Sequence, residues 1–172
     1  RYFEEALHSV GVLPVYVCML AAMNAAREPS RLPPLLVQGR RAALKIRLAN
    51  DLRSYEKELA EGKLNALRIL QQDIMREEKL EAAAALEEAR LTVKAWMALG
   101  MPSQAGAELP ERASSRARRW LEQLPKDFVE ADGVAPAEAP AAGSARPEHY
   151  ATNLTAFACD FYAHHDYHHP LT

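Results

Sequence analysis

With 172 residues, 49% of them apolar and 26% charged, the chain is long enough for one domain with a real core and has the composition of a globular protein. Its 21 basic and 23 acidic residues leave a net charge of −2, so no basic excess marks nucleic acid or an anionic membrane as a partner. Cys18 and Cys159 are too few and too far apart for a disulfide framework, which fits a reducing cytosol and a cytoplasmic location.

Helical signals run along the chain, and no stretch alternates convincingly with the period of a strand. Residues 1–9 read as a helix broken at Val10-Gly11. The opening Tyr2-Phe3-Glu4-Glu5 reads like the middle of a helix, not like a signal peptide, and leads us to expect a piece of a larger protein. Residues 13–27 predict a buried helix, with Pro14 in the first turn, where proline is tolerated, and Pro29-Ser30 beyond its end. The apolar run 12–26 contains Pro14 and Asn24 and is shorter than the ~20 residues of a membrane span, so none is expected. Pro33-Pro34 opens a long helix over 34–61 that stops at Gly62.

Two further helical stretches, 63–76 and 78–99, carry Leu64, Leu67, Leu70, Ile74, Leu80, Leu86, Leu91 and Trp96 as apolar points. The acidic run 77–88 reads as a solvated face. Residues 100–110 form a loop, and 111–130 an amphipathic helix with Trp120, Leu121, Leu124 and Phe128, kinked or split at Pro125. The Ala/Pro/Gly-rich segment 131–148 reads as a flexible loop, and 149–164 as the last helix. The expected fold is an all-α helical bundle, with residues 1–172 in a single domain. Asn153-Leu154-Thr155 fits a glycosylation sequon, a pattern short enough to arise by chance.

The long helix carries the chemistry. Leu44, Leu48, Leu52, Tyr55 and Leu59 recur at core spacing. Beside them Asn50, Ser54 and Glu58 stand at i, i+4 and i+8, each step about 40° beyond a full turn, so three oxygen donors form one short stripe. An amide oxygen, a hydroxyl and a carboxylate are hard ligands and suit Mg²⁺, which keeps several waters and shares its sphere with substrate phosphates. Arg47 and Lys57 fall within about 60° of Asn50 on the helical wheel and could grip a diphosphate. Upstream, Leu35, Leu36, Gly39, Ala43 and Ile46 continue the stripe as an apolar floor.

The run Asn50-Asp51-Leu52-Arg53-Ser54-Tyr55-Glu56-Lys57-Glu58, with Arg47 three residues earlier, resembles the second metal-binding motif of class I terpene synthases, slot for slot. Its Lys-Glu ending is the form more typical of bacterial and fungal members. The resemblance implies the C-terminal part of a catalytic α domain, with Asn50, Ser54 and Glu58 holding one of three Mg²⁺ ions. Arg47 and Lys57 would then bind the diphosphate of an allylic substrate such as farnesyl or geranylgeranyl diphosphate. Val10 and Gly11 look like the helix break in the cavity wall of this family, where freed backbone carbonyls steer ionisation. The tail Phe161-Tyr162-Ala163-His164-His165-Asp166-Tyr167-His168-His169-Pro170 is similar to the loop that caps plant-type active sites, which would give Tyr162, Asp166 and Tyr167 a closing role; the Gly of that loop is absent here. Together these features lean towards a bacterial diterpene synthase of the kaurene-synthase kind. The family's Asp-rich motif has no counterpart, for the sequence contains no Asp-Asp pair. The resemblance therefore places that motif in a missing N-terminal half, and a homodimer is allowed.

Other readings stand beside this one. Taken alone, the polar stripe is also compatible with an ordinary solvated helix. His164, His165, His168 and His169 could hold Zn²⁺ at helical spacing, but the run ends in Pro170, and a capping loop or plain surface fits better. Tyr16, Trp96, Phe157, Phe161, Tyr162 and Tyr167 could stabilise carbocations; taken singly, each is better read as core. A non-catalytic helical interaction module, or a degenerate relative, is the alternative function. A prenyl-chain-elongating enzyme is disfavoured by the Asn/Ser/Glu set and by the lack of an Asp-rich motif.

Overall fold

The computed structural model describes residues 2–9, 11–23, 32–98, 109–122 and 147–164. Among these every regular element is an α-helix: α1 (Tyr2–Ser9), α2 (Val12–Ala22), α3 (Leu32–Ala60), α4 (Ala66–Glu78), α5 (Ala82–Ala98), α6 (Glu111–Glu122) and α7 (Pro147–His164). The all-α expectation holds. The chain divides into two compact units, Arg1–Arg53 with Ala131–Thr172, and Ser54–Glu130, and α3 contributes residues to both. No helix among the described residues is long and apolar enough to cross a membrane.

In the first unit, α1 and α2 meet at Gly11, whose φ of 63° is left-handed and suits a residue without a Cβ. This is the expected break; Val10 lies outside the described residues, as do Pro29 and Ser30. Tyr16 and Leu20 of α2 pack with Leu35 and Ala42 of α3 and Ala151 of α7, flanked by Met19, Leu36 and Tyr150. The rings of Tyr16 and Tyr150 lie 6.4 Å apart. Tyr16 also lies across Gly39, so close that a Cβ built there would fall 2.3 Å from Cδ1.

One sequence expectation changes here. The helix read as buried touches its neighbours along the i, i+4 stripe of Tyr16 and Leu20, leaving Val15 56% and Val17 45% exposed. Apolarity all round a helix does not force burial all round when one stripe makes the contact. Of the apolar stretch upstream of Asn50, Leu35, Gly39, Ala43 and Ile46 are buried and Leu36 is half-buried. Leu35 is core beneath Tyr16 and Leu20, and Gly39 lies under the Tyr16 ring.

The second unit stacks α4, α5 and α6 in sequence order. Leu67, Leu70 and Ile74 present one buried stripe of α4. The matching face of α5 is small, with Ala85, Ala89, Thr92 and Val93 beside Trp96, and α6 adds Ala113 and Ala117. Small residues let helix backbones approach closely. Thr92 satisfies its buried hydroxyl by donating to the Glu88 carbonyl at 2.8 Å.

Helix α4 begins at Ala66, not near residue 63, so Leu64 precedes it and is 62% exposed. The acidic run is not simply solvated either. Arg116, whose side chain is 6% exposed, donates to Glu88 at 2.8 Å and to Glu78, and Arg112 also pairs with Glu78. An amphipathic α6 supplies these cations, which turn two carboxylates of the run inward.

Helix α6 is described to Glu122, so the kink expected at Pro125 lies outside the described residues, as do 131–146. The last helix starts at Pro147, two residues before the expected boundary. Thr155 of the sequon is buried and donates to the Ala151 carbonyl at 2.7 Å.

Candidate functional site

The site residues are set out by α3. Pro33 and Pro34 occupy its first turn, where the missing N–H groups have no helical acceptor to lose. From Arg40 to Glu61 no glycine or proline interrupts it. It ends where the Gly62 N–H bonds the Leu59 carbonyl at 3.2 Å and the Lys63 N–H bonds the Glu58 carbonyl at 2.8 Å. That paired arrangement is a Schellman cap, with Gly62 left-handed at φ 69°.

Asn50, Ser54 and Glu58 therefore sit one turn apart on one unbroken helix. Asn50 and Glu58 are half-buried, and Ser54 is buried. Asn65 donates its side-chain N–H to Glu58 Oε2 at 2.9 Å. Asn65 itself is the N-cap of α4, with Oδ1 accepting from the Leu67 N–H at 2.9 Å. Tyr55, on the adjoining face, donates to Gln71 at 2.8 Å, and Gln71 donates to the Ala82 carbonyl at 2.8 Å. The C-terminal part of α3 is thus tied to α4, and α4 in turn to the start of α5.

Asp51, one position past Asn50, is fully buried. Arg47, a turn earlier, meets it at 2.7 Å, and the Tyr2 hydroxyl donates to its other oxygen from α1. Burial, and then the negative charge of Asp51, push the Tyr2 hydroxyl well above the usual phenol range. The guanidinium read from sequence as a diphosphate grip is held in the protein by an internal carboxylate. Such an anchor fixes a planar donor group. Lys57 is about half exposed and lies 3.8 Å from Glu61.

The remaining expected site residues lie apart from this helix in sequence. Gly11 forms the α1–α2 break. Tyr162 packs edge-on against Phe161, with ring centres 6.0 Å apart, and Phe161 lies 6.2 Å from Phe157 on the same helix. Val10, Asp166, Tyr167, His165, His168 and His169 are outside the described residues, as is the side chain of His164.

The chemistry of the donor set suits Mg²⁺. All three groups offer oxygen, and none is soft. Among the described residues no group of three His, Cys, Asp or Glu side chains converges on a metal position. Glu58 is the only carboxylate of the Asn50/Ser54/Glu58 set, so three protein oxygens would fill about half of an octahedral sphere. Phosphate oxygens and water fit the remainder.

Sequence reading missed Tyr2 and Asn65. For Asn65 a signal was present: an asparagine just before the apolar residues that open a helix is an N-cap pattern. Tyr2 meets Asp51 across 49 residues, and no local pattern announces such a contact.

Residues 1–98, more than half of the chain, match the family described as terpene synthase family 2, C-terminal metal binding. No curated protein and no solved structure matches.

Proposed function

The chain belongs to terpene synthase family 2, and we propose that it takes part in the Mg²⁺-dependent ionisation and cyclisation of an allylic isoprenyl diphosphate. Farnesyl and geranylgeranyl diphosphate are the substrates to test first; the second would make it a diterpene synthase. The observation that carries this reading is the unbroken α3, with Asn50, Ser54 and Glu58 one turn apart and the Glu58 carboxylate held by Asn65.

Asn50, Ser54 and Glu58 would hold one Mg²⁺. Bound there, the ion supplies positive charge to the oxygens of the departing diphosphate. Arg47, oriented by Asp51, would present a fixed guanidinium to the diphosphate, and Lys57, about half exposed beside Glu61, would present an ammonium. The helix break at Gly11 would leave backbone carbonyls at the end of α1 for the cation that ionisation produces. Tyr162, with Asp166 and Tyr167, would close the cavity and keep water from that cation. The acidic first metal face would come from another segment, because this sequence holds no Asp-Asp pair.

The test uses the full-length protein with C10, C15 and C20 diphosphates, reading released diphosphate and identifying products by mass spectrometry. Asn50→Ala and Glu58→Ala should each remove Mg²⁺-dependent diphosphate release. Unchanged turnover in both would refute the metal assignment.

A further inference from the structure

The turn after α3 brings a second residue to Glu58. With Gly62 left-handed and the Schellman bonds closed, the chain reverses and returns Asn65 to the last turn of the helix it has just left. A Cβ at Gly62 would meet nothing within 4 Å, so backbone conformation alone favours glycine there. Asn65 is almost wholly buried, at 1% exposure.

Both ends of its amide are used. The Leu67 N–H can only donate, so the atom facing it must be the carbonyl oxygen. That fixes the amide's orientation and turns Nδ2 towards Glu58 Oε2. Capping alone does not require this. Serine, aspartate and asparagine cap helices about equally well. Serine is too short to make the second bond, and aspartate would set a carboxylate against a carboxylate. The amide is the one capping group that both accepts from the helix and donates to Glu58.

We propose that Asn65 is a positioning residue for the metal site: its buried amide holds the Glu58 carboxylate in the direction from which it ligates. This rests on the reading of Asn50, Ser54 and Glu58 as Mg²⁺ ligands. A glutamate on the last turn of a helix otherwise samples several rotamers, and binding an ion would have to suppress that freedom. A neutral donor restrains the carboxylate without competing for the cation's place, as a lysine or arginine at position 65 would. A carboxylate has about four acceptor positions, so one amide N–H leaves it able to ligate. Partners of this kind typically govern metal affinity by about 10- to 100-fold.

Asn65→Ser separates the two roles, because serine keeps the cap and removes the bond to Glu58. Mn²⁺ is titrated into the full-length protein with inorganic pyrophosphate, and bound Mn²⁺ is read by electron paramagnetic resonance. Thermal unfolding is followed in parallel. Asn65→Ser should weaken Mn²⁺ binding by about tenfold or more while its melting temperature stays close to that of the parent. Should that variant not fold, Asn65→Thr, also a capping residue, carries the same expectation. Parental Mn²⁺ affinity in the serine or threonine variant, with binding lost in Glu58→Ala, overturns the positioning role and leaves the metal site standing. Parental affinity in Glu58→Ala removes the metal reading, and this inference with it.

Discussion

Gly39→Ala tests the packing of the first unit most directly. The new Cβ would fall 2.3 Å from Tyr16 Cδ1, 2.6 Å from Cε1 and 3.2 Å from Cγ. The first two distances lie far inside van der Waals contact. Tyr16 is fully buried among Leu20, Leu35, Ala42 and Ala151, so its ring cannot turn aside without disturbing that cluster. Overpacking of this kind costs roughly 1–3 kcal/mol, and two contacts this short argue for the upper end. Against it stands the gain of about 1 kcal/mol for alanine over glycine inside a helix. The net expectation is destabilisation by about 1–2 kcal/mol, or a few degrees in melting temperature for a chain this size. Urea unfolding gives the free energy, and the same change in a Tyr16→Val background gives the coupling. Valine deletes the ring atoms nearest Gly39, so alanine there should become neutral or stabilising. A stabilised Gly39→Ala, or an equal penalty in both backgrounds, would refute the account.

Two further outcomes follow from the buried polar groups. Tyr2→Phe removes the donor to buried Asp51 and should cost about 1–3 kcal/mol at neutral pH. Because the Tyr2 pKa is raised on folding, the hydroxyl's contribution is full below the unfolded value of about 10 and is lost as pH climbs beyond it. The gap between parent and Tyr2→Phe in urea melts should therefore narrow above about pH 10, by up to ~1.4 kcal/mol per pH unit; a constant gap to pH 11 would contradict it. Arg116→Ala takes from Glu78 and Glu88 their buried arginine and leaves them the more exposed Arg112, and should cost about 3 kcal/mol. Arg112→Ala should cost less than about 1 kcal/mol, and equal losses in the two variants would overturn that ranking.

Periodicity carried much of the fold because helices announce themselves locally. The long α3 was legible from Pro33-Pro34, an uninterrupted run and Gly62, and each mark acts within a turn or two of the residue that bears it. The left-handed break at Gly11 was legible for the same reason. Burial was less legible, because it depends on which face meets a neighbour. Val15 and Val17 are as apolar as Leu20, yet Leu20 shares the face of Tyr16 that packs on α3 and they do not. The acidic run misled in the opposite sense. Glu78 and Glu88 turn inward because Arg116, 38 and 28 residues away, is buried between them.

The same distinction runs through the candidate site. The spacing of Asn50, Ser54 and Glu58 is a local fact, and it put all three on one stripe. What holds the charged groups in direction lies partly outside that stripe. Arg47 is turned by Asp51, which is held in turn by Tyr2 from a separate helix. Glu58 is held by Asn65 across a turn that depends on the left-handed Gly62. A buried carboxylate such as Asp51 is costly unless it is paired and hydrogen-bonded, so the arginine and the tyrosine that satisfy it are constrained as tightly as it is. A motif can therefore name the groups that meet a metal or a phosphate while leaving out those that aim them. Tyr2 and Asn65 belong to the second class, and Tyr2 lies outside the stretch from Arg47 to Glu58 by 45 residues of chain.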